Sequence, residues 1–169
     1  MNVDALQPQV LALGQALRGR GWKLATAESC TGGLIAAACT SVAGSSDWFE
    51  RGVVSYSNEA KTQLLGVPPA LIERCGAVSE EVARAMAAGV LAQAAVQLSV
   101  AVTGIAGPGG GSPDKPVGTV WLAWAMKAGE GDAELGARRL QLQGDRSAVR
   151  QQTVEQAFAC LQALLGPRR

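Results

Sequence analysis

Apolar residues recur along the chain at two different spacings, and the change from one spacing to the other predicts alternating helices and strands. Over residues 4–18, "DALQPQVLALGQALR", Pro8 fits the first turn of a helix. Five apolar residues then lie roughly on one face of that helix: Leu6, Val10, Leu11, Leu13 and Leu17. Residues 22–27, "WKLATA", are short and mostly apolar, so they predict the first strand.

Polar residues that favour helix N-termini mark the later helices. A helix of small and apolar residues is predicted over residues 31–42, and a second one ends near Leu65, where Gly66 stops it. The predicted caps, in chain order, are Ser29 or Thr31, then Asn58, Ser79 and Asp145. Five helices are therefore expected, counting the N-terminal one.

Four more segments predict strands: residues 50–57, 99–107, 117–126 and 135–143. The last two are joined by the polar residues 127–134 and predict a β-hairpin. Strands alternate with helices elsewhere, so the expected fold class is α/β on a mixed, mostly parallel sheet. We find no internal repeat and no linker, which indicates a single domain over residues 1–169. Ligands of such sheets bind where strands end and helices begin.

Composition narrows the class of protein further. The chain has 169 residues, 48% of them hydrophobic and 17% charged, with a net charge of +1. This balance gives no reason to expect binding to nucleic acid or to a membrane surface. The N-terminal "MNVDALQPQV" lacks the layout of a signal peptide, and no apolar run is long enough to span a bilayer. A cytoplasmic location is expected.

Cysteine and histidine usage argues against a metal centre. The four cysteines are Cys30, Cys39, Cys75 and Cys160, no two of them form a C-x-x-C pair, and the chain contains no histidine. Free thiols in a reducing compartment are the preferred interpretation. We therefore expect neither a metal ion nor another cofactor.

The segment "TAESCTGG", residues 26–33, places a serine beside a cysteine at the predicted start of a helix. Ser29 and Cys30 are both candidate nucleophiles, and a thiolate at a helix N-terminus has a lowered pKa. Gly32 and Gly33 allow a ligand to approach the backbone closely. Taken alone, the segment favours an ordinary capped helix, with glycines that serve packing. Because histidine is absent, any nucleophile here needs another proton acceptor.

The segment "SYSNEAK", residues 55–61, supplies a candidate acceptor. Lys61 falls in the first turn of a predicted helix, where the helix dipole and burial would both lower its pKa. A neutral lysine is a competent general base. The alternative is a solvated surface lysine. Tyr56, the single tyrosine of the chain, is expected at the strand end beside it.

A glycine-rich loop follows a buried strand at residues 103–118, "TGIAGPGGGSPDKPVG", with six glycines and three prolines. It matches neither the Walker loop nor the dinucleotide fingerprint, so it is either a mobile surface loop or a backbone cradle for phosphate or sugar.

In "GDRSAVR", Arg146 and Arg150 lie near a helix N-terminus, against the dipole. A bound phosphate would remove that conflict, and solvent exposure is the alternative.

Four long segments resemble the C-terminal domain family of CinA, the competence/damage-inducible protein. They are residues 27–67, beginning "AESCTGGLIAA"; residues 76–87, "GAVSEEVARAMA"; residues 102–121, beginning "VTGIAGPGGG"; and residues 144–150, "GDRSAVR". The similarity runs in order over nearly the whole chain. It implies a three-layer α/β/α sandwich, a homodimer and no metal.

The resemblance also implies an activity. Stand-alone members of this family look like nicotinamide-nucleotide amidases, which convert the carboxamide of nicotinamide mononucleotide into a carboxylate and release ammonia. Longer members carry an additional N-terminal domain associated with ADP-ribose pyrophosphatase activity, which is not expected of this chain. Two other functions stay open at this point: a nucleotide-binding sensor without catalysis, and an interaction domain whose former site has decayed.

The resemblance implies roles for individual residues. It places the nucleophile at Ser29, with Tyr56 and Lys61 as the other catalytic residues. The expected substrate-binding residues are Cys30, Thr31, Gly32, Gly33, Thr103, Gly104, Gly107, Gly109, Gly110, Arg146 and Arg150. Backbone amides near residues 30–33, or near Gly104, are expected to stabilise an oxyanion.

Overall fold

Five strands form one mixed sheet in a computed structural model, which describes residues 3–127, 129 and 131–166. The strands are β1 (Leu24–Glu28), β2 (Phe49–Val54), β3 (Leu98–Gly104), β4 (Thr119–Met126) and β5 (Glu134–Gln141). Their order is β2-β1-β3-β4-β5, with β1 parallel to β2 and β3, and β4 antiparallel to β3 and β5. Every strand except β4 points the same way, which confirms the predicted mixed, mostly parallel sheet. The β4–β5 hairpin is also confirmed, although positions 128 and 130 of its predicted turn lie outside the described residues.

Six helices of the described residues accompany the sheet. They are α1 (Gln7–Arg18), α2 (Leu34–Thr40), α3 (Asn58–Leu65), α4 (Pro69–Cys75), α5 (Glu80–Gln93) and α6 (Arg146–Leu165). The short helix α4 was not predicted; it carries Pro69 in its first turn, where proline is well tolerated. None of the helices in the described ranges is long and apolar enough to cross a membrane.

The two faces of the sheet carry side chains of different size. On the face covered by α1, α2 and α6, the strands present large aliphatic residues such as Leu98 and Val100. On the face covered by α3, α4 and α5, the strands present mostly small residues such as Ala25 and Ala101. Small side chains allow close packing: a Cβ at Gly89 of α5 would overlap the carbonyl oxygen of Leu65 in α3. The result is the expected three-layer sandwich.

Two predicted helix caps are confirmed and one lies one residue away. The Ser79 hydroxyl accepts a hydrogen bond from the Val82 amide, and Asp145 caps α6 in the same manner. The prediction of Asn58 as a cap is wrong, since Asn58 is already helical. Ser57 takes that role, because its extended backbone aims the hydroxyl at the Ala60 amide, 3.0 Å away.

The prediction that Ser29 or Thr31 caps α2 is also wrong. The residue before this helix is Gly33, which has no side chain to act as a cap. The amides of Ile35 and Ala36 donate instead to the carboxylate of Glu28, at 3.0 and 2.8 Å. A buried side chain from the end of β1 therefore satisfies the helix N-terminus, and Ser29 is left free for other contacts.

Candidate active site

The carboxyl ends of β1, β2 and β3 lie at one edge of the sheet, because these strands are parallel. A cleft of about 240 Å³ lies at this edge. Its lining residues are Ser29, Cys30, Tyr56, Asn58, Lys61, Ala77, Val78, Thr103, Gly104, Ala106 and Arg146. Seven of them are residues that the sequence analysis assigned to a site, including all three of the expected catalytic residues. The predicted site residues therefore converge although they are far apart in the sequence.

Ser29 and Lys61 are in direct contact at the base of the cleft. The Lys61 amine lies 3.1 Å from the Ser29 hydroxyl oxygen. Ser29 follows β1 directly, whereas Lys61 extends from the first turn of α3. The lysine side chain is 2% exposed and the serine is 8% exposed, so little water reaches the pair.

The remaining partners of Lys61 are backbone carbonyl groups. Its amine lies 3.1 Å from the carbonyl oxygen of Ser55 and 3.5 Å from that of Tyr56. Burial lowers the pKa of Lys61 below its ordinary value, since removing water penalises the ammonium form. A neutral amine has two N–H donors and one lone pair. The two carbonyls match the donors, and the Ser29 hydroxyl then donates to the lone pair.

Cys30 lies beside Ser29, but its environment disfavours a thiolate. The side chain is 6% exposed, and burial raises the pKa of the thiol to about 12. The negative charge of Glu28 acts in the same direction. The expectation that a helix N-terminus lowers this pKa is wrong, because desolvation outweighs the favourable backbone contact.

The side chain of Tyr56 contacts Arg146 rather than Lys61. The Arg146 guanidinium donates to the Tyr56 hydroxyl at 2.9 Å and to the carbonyl oxygen of Gly107 at 3.0 Å. These contacts join the loop after β2, the N-terminus of α6 and the glycine-rich loop across the mouth of the cleft. Tyr56 is 61% exposed, and its hydroxyl makes no hydrogen bond to Lys61 in the described part of the chain.

Two of the four backbone amides at residues 30–33 are already occupied. The Gly32 amide donates to the Ser29 carbonyl at 3.0 Å, and the Gly33 amide donates to Glu28 at 3.1 Å. Within the described residues, the amides of Cys30 and Thr31 donate to no backbone carbonyl. These two amides, directly after Ser29, are the ones available to an oxyanion.

The structure brings some predicted binding residues close to the cleft without placing them in its wall. The Arg150 guanidinium donates to the Thr31 carbonyl at 2.9 Å, while the Thr31 side chain is fully buried. Gly107 reaches the cleft indirectly, through Arg146. Gly109 and Gly110 lie in the exposed part of the loop and do not line the cleft.

One wall of the cleft, formed by residues 77 and 78, was not predicted from the sequence. Ala77 and Val78 line it, and the Thr103 hydroxyl donates to the Ala77 carbonyl at 2.8 Å, which ties this segment to the end of β3. The available signal was the cap at Ser79, since residues just before a helix at this sheet edge are placed to meet a ligand. Asn58 and Ala106 complete the set of lining residues that were not anticipated.

A serine–lysine pair at the parallel strand ends of a three-layer α/β/α sandwich defines the structural class. Residues 7–165 match the CinA C-terminal domain, and the chain belongs to that family. This agrees with the resemblance of its sequence segments.

Relatives of similar length share about half of their residues with this chain. It is 52% identical to the nicotinamide-nucleotide amidohydrolase PncC of Pseudomonas putida, over 96% of this chain and 97% of that protein. It is 51% identical to the protein of the same name from Enterobacter agglomerans, over 90% of each chain. The crystal structure of the competence/damage inducible protein CihA from Agrobacterium tumefaciens matches with a TM-score of 0.89 and 40% identity, over 95% of this chain and 96% of that one.

Proposed function

We propose that this protein is an amidohydrolase that converts nicotinamide mononucleotide into nicotinate mononucleotide and ammonia. The observation that carries the proposal is the 3.1 Å contact between the Ser29 hydroxyl and the buried amine of Lys61 in a cleft. The names of two full-length relatives that are 51% and 52% identical support the reaction class and the substrate. No described group of three or more His, Cys, Asp or Glu residues is arranged to hold a metal ion. The proposed steps use only the chain's own residues and water.

In the first step, the Ser29 oxygen forms a bond to the carboxamide carbon while its proton moves to the Lys61 amine. The lowered pKa of Lys61 favours the neutral form that accepts this proton. The ammonium that results keeps its contacts with the carbonyl oxygens of Ser55 and Tyr56. This serine–lysine arrangement replaces the imidazole that the chain lacks.

The tetrahedral intermediate places a negative charge on the former carbonyl oxygen of the amide. The backbone amides of Cys30 and Thr31 are the proposed donors to this oxyanion, with the backbone near Gly104 as the other group lining the same space. Loss of one such donor typically raises the barrier by about 3 kcal/mol. The Cys30 thiol itself takes no part in bond making.

In the second half of the reaction, Lys61 returns its proton to the departing nitrogen, and ammonia leaves. The nicotinoyl group remains as an ester on Ser29. Water then attacks this ester while Lys61 accepts a proton from the water. The bond to the Ser29 oxygen breaks, Lys61 returns the proton to that oxygen, and nicotinate mononucleotide leaves. Tyr56 orients Lys61 through its backbone carbonyl, and its hydroxyl joins Arg146 at the mouth of the cleft.

Arg146 is the proposed partner of the 5′-phosphate. Its guanidinium has five N–H donors, and two of them are used by Tyr56 and Gly107, so others stay available for an anion. The ribose is proposed to lie against the glycine-rich loop, whose Gly104 lines the cleft. Arg150 donates to the Thr31 carbonyl, so we assign it to support of residues 29–33, the nucleophile segment that begins with Ser29, rather than to the phosphate.

One incubation tests the proposed function. The protein is mixed with nicotinamide mononucleotide, and ammonia and nicotinate mononucleotide are measured over time. Equal amounts of both products are expected. Binding of the nucleotide without either product would contradict the proposal and favour a sensor module. Absence of binding would favour an interaction domain.

A further inference from the structure

Glu28 is a buried carboxylate that the proposed reaction does not consume. It is the last residue of β1, it lies next to Ser29, and it is 0% exposed. It does not line the cleft. We infer that Glu28 is a positioning residue, which holds the segment carrying Ser29 and the two proposed oxyanion amides in the geometry that the reaction needs. This inference rests on the proposed function, because it assumes that Ser29 is the nucleophile.

The carboxylate of Glu28 accepts five hydrogen bonds. One oxygen accepts from the Thr31 hydroxyl at 2.7 Å and from two amides, and the other accepts from one amide and from the Thr26 hydroxyl at 3.3 Å. The three amides are those of Gly33, Ile35 and Ala36, at 3.1, 3.0 and 2.8 Å. Hydrogen bonds to a charged acceptor are about twice as strong as neutral ones. Because the carboxylate is fully buried, water has no access to replace any of them.

The hydrogen bonds of Glu28 link the residue before the nucleophile segment, residues 29–33, to residues within and after it. Glu28 lies before Ser29 in the chain, and its partners lie after it, so the carboxylate closes a loop around residues 29–33. Thr31 is held at two points: its hydroxyl donates to Glu28, and its carbonyl accepts from Arg150. The amides of Cys30 and Thr31 are fixed within this loop. Neither amide donates to a backbone carbonyl in the described part of the chain.

Glu28 also decides which amides are left for the substrate. Without an internal anion, the first amides of α2 would compete with those of Cys30 and Thr31 for a negative charge. The carboxylate occupies the amides of Gly33, Ile35 and Ala36. The oxyanion is thereby directed to the two amides beside Ser29. Misplacement of reacting groups by about 1 Å can lower a rate about 100-fold.

The alternative is a helix cap that contributes only to folding. Glu28→Gln distinguishes the two roles, because it keeps the length of the side chain but replaces one accepting oxygen by a donor group. A positioning role predicts that kcat per folded molecule falls about 100-fold while KM changes little. A purely structural role predicts a lower melting temperature with normal kcat and KM for the molecules that remain folded.

A pair of variants at Thr31 keeps the inference testable if Glu28→Gln does not fold. Thr31→Val removes the hydroxyl at nearly constant shape, and Thr31→Ser retains it. We expect Thr31→Val to lower kcat by about tenfold or more and Thr31→Ser to restore it to near the original value. The control is Ser99→Ala, which removes a buried hydrogen bond to the Ala87 carbonyl near the far end of β3 and should reduce stability without changing kcat.

Three outcomes of these measurements with nicotinamide mononucleotide are distinct. If the unaltered protein produces no ammonia, or if Ser29→Ala retains full turnover, the proposed function or its nucleophile fails, and the role of Glu28 fails with it. If turnover depends on Ser29 but Glu28→Gln and Thr31→Val keep normal kcat, only the positioning role is overturned. If both variants lose kcat and Thr31→Ser recovers it, the positioning role is supported.

Discussion

The Lys61 amine lies 3.1 Å from the Ser29 hydroxyl, although 32 positions separate the two residues in the chain. The contact exists because β1 and β2 are parallel neighbours. Ser29 follows the end of one strand, and Lys61 lies in the helix that follows the other. An isolated serine has no group to take its proton. Because the chain contains no histidine, the fold brings Lys61 to Ser29 as the proton acceptor.

Replacing the base is expected to remove most of the activity. Lys61→Met removes the proton acceptor, and Lys61→Arg replaces it by a guanidinium that does not deprotonate in proteins. We expect both variants to lower kcat/KM for nicotinamide mononucleotide by a factor of about 10² to 10⁴. Lys127→Met, at an exposed position, is the control and should keep normal activity. Near-normal kcat/KM in Lys61→Arg would show that lysine basicity is not used.

The value of kcat/KM is expected to rise with increasing pH. The reaction needs neutral Lys61, and burial lowers the pKa at which this form appears. As pH rises through that lowered pKa, kcat/KM should rise and then level off. The midpoint should lie below the ordinary lysine value of about 10.4. A profile that is flat from acid to alkaline pH, or one that falls over this range, would contradict the role of Lys61.

The two arginines of α6 are expected to act differently. Arg146 lines the cleft, so Arg146→Ala should raise KM for nicotinamide mononucleotide by about tenfold or more, with a smaller change in kcat. Arg150 holds the carbonyl of Thr31, so Arg150→Ala should mainly lower kcat. Steady-state kinetics of both variants provide the measurement. The assignment would be reversed if Arg150→Ala affected only KM and Arg146→Ala affected only kcat.

The close packing of α5 against α3 leads to a separate prediction about the stability of the protein. Replacing a helical glycine by alanine ordinarily stabilises a protein by about 0.5–1 kcal/mol. At Gly89 the added Cβ would overlap the carbonyl oxygen of Leu65. Gly89→Ala should therefore lower the free energy of unfolding by about 1–3 kcal/mol in urea denaturation. A higher free energy of unfolding for Gly89→Ala would contradict this prediction and would mean that α3 and α5 move apart at little cost.

Much of this architecture was predictable because its signals are local. The alternation of apolar runs located all five strands, and side chains such as Ser79 and Asp145 marked helix starts correctly. The cap of α2 was not predictable in that way. Local cap rules consider residues next to a helix, whereas Glu28 reaches amides up to eight positions away, from within a strand.

The site was predictable as a set of residues but not as a set of contacts. The motifs singled out Ser29, Lys61 and Arg146, and all three line one cleft. The partners of Arg150 and Tyr56 depend on how loops meet in three dimensions, which no spacing in the sequence encodes. The raised pKa of Cys30 likewise follows from burial, which outweighs the effect expected from its position before a helix. The expected homodimer and cytoplasmic location stay predictions.

The most direct test of the central claim compares Ser29→Ala with Cys30→Ala. Ammonia release from nicotinamide mononucleotide is measured for both variants beside the unaltered protein, at equal concentrations of folded protein. Ser29→Ala should lose nearly all turnover, whereas Cys30→Ala should keep most of it, because the buried thiol has a pKa of about 12 and is not ionised at neutral pH. Full turnover in Ser29→Ala together with loss of turnover in Cys30→Ala would contradict the account.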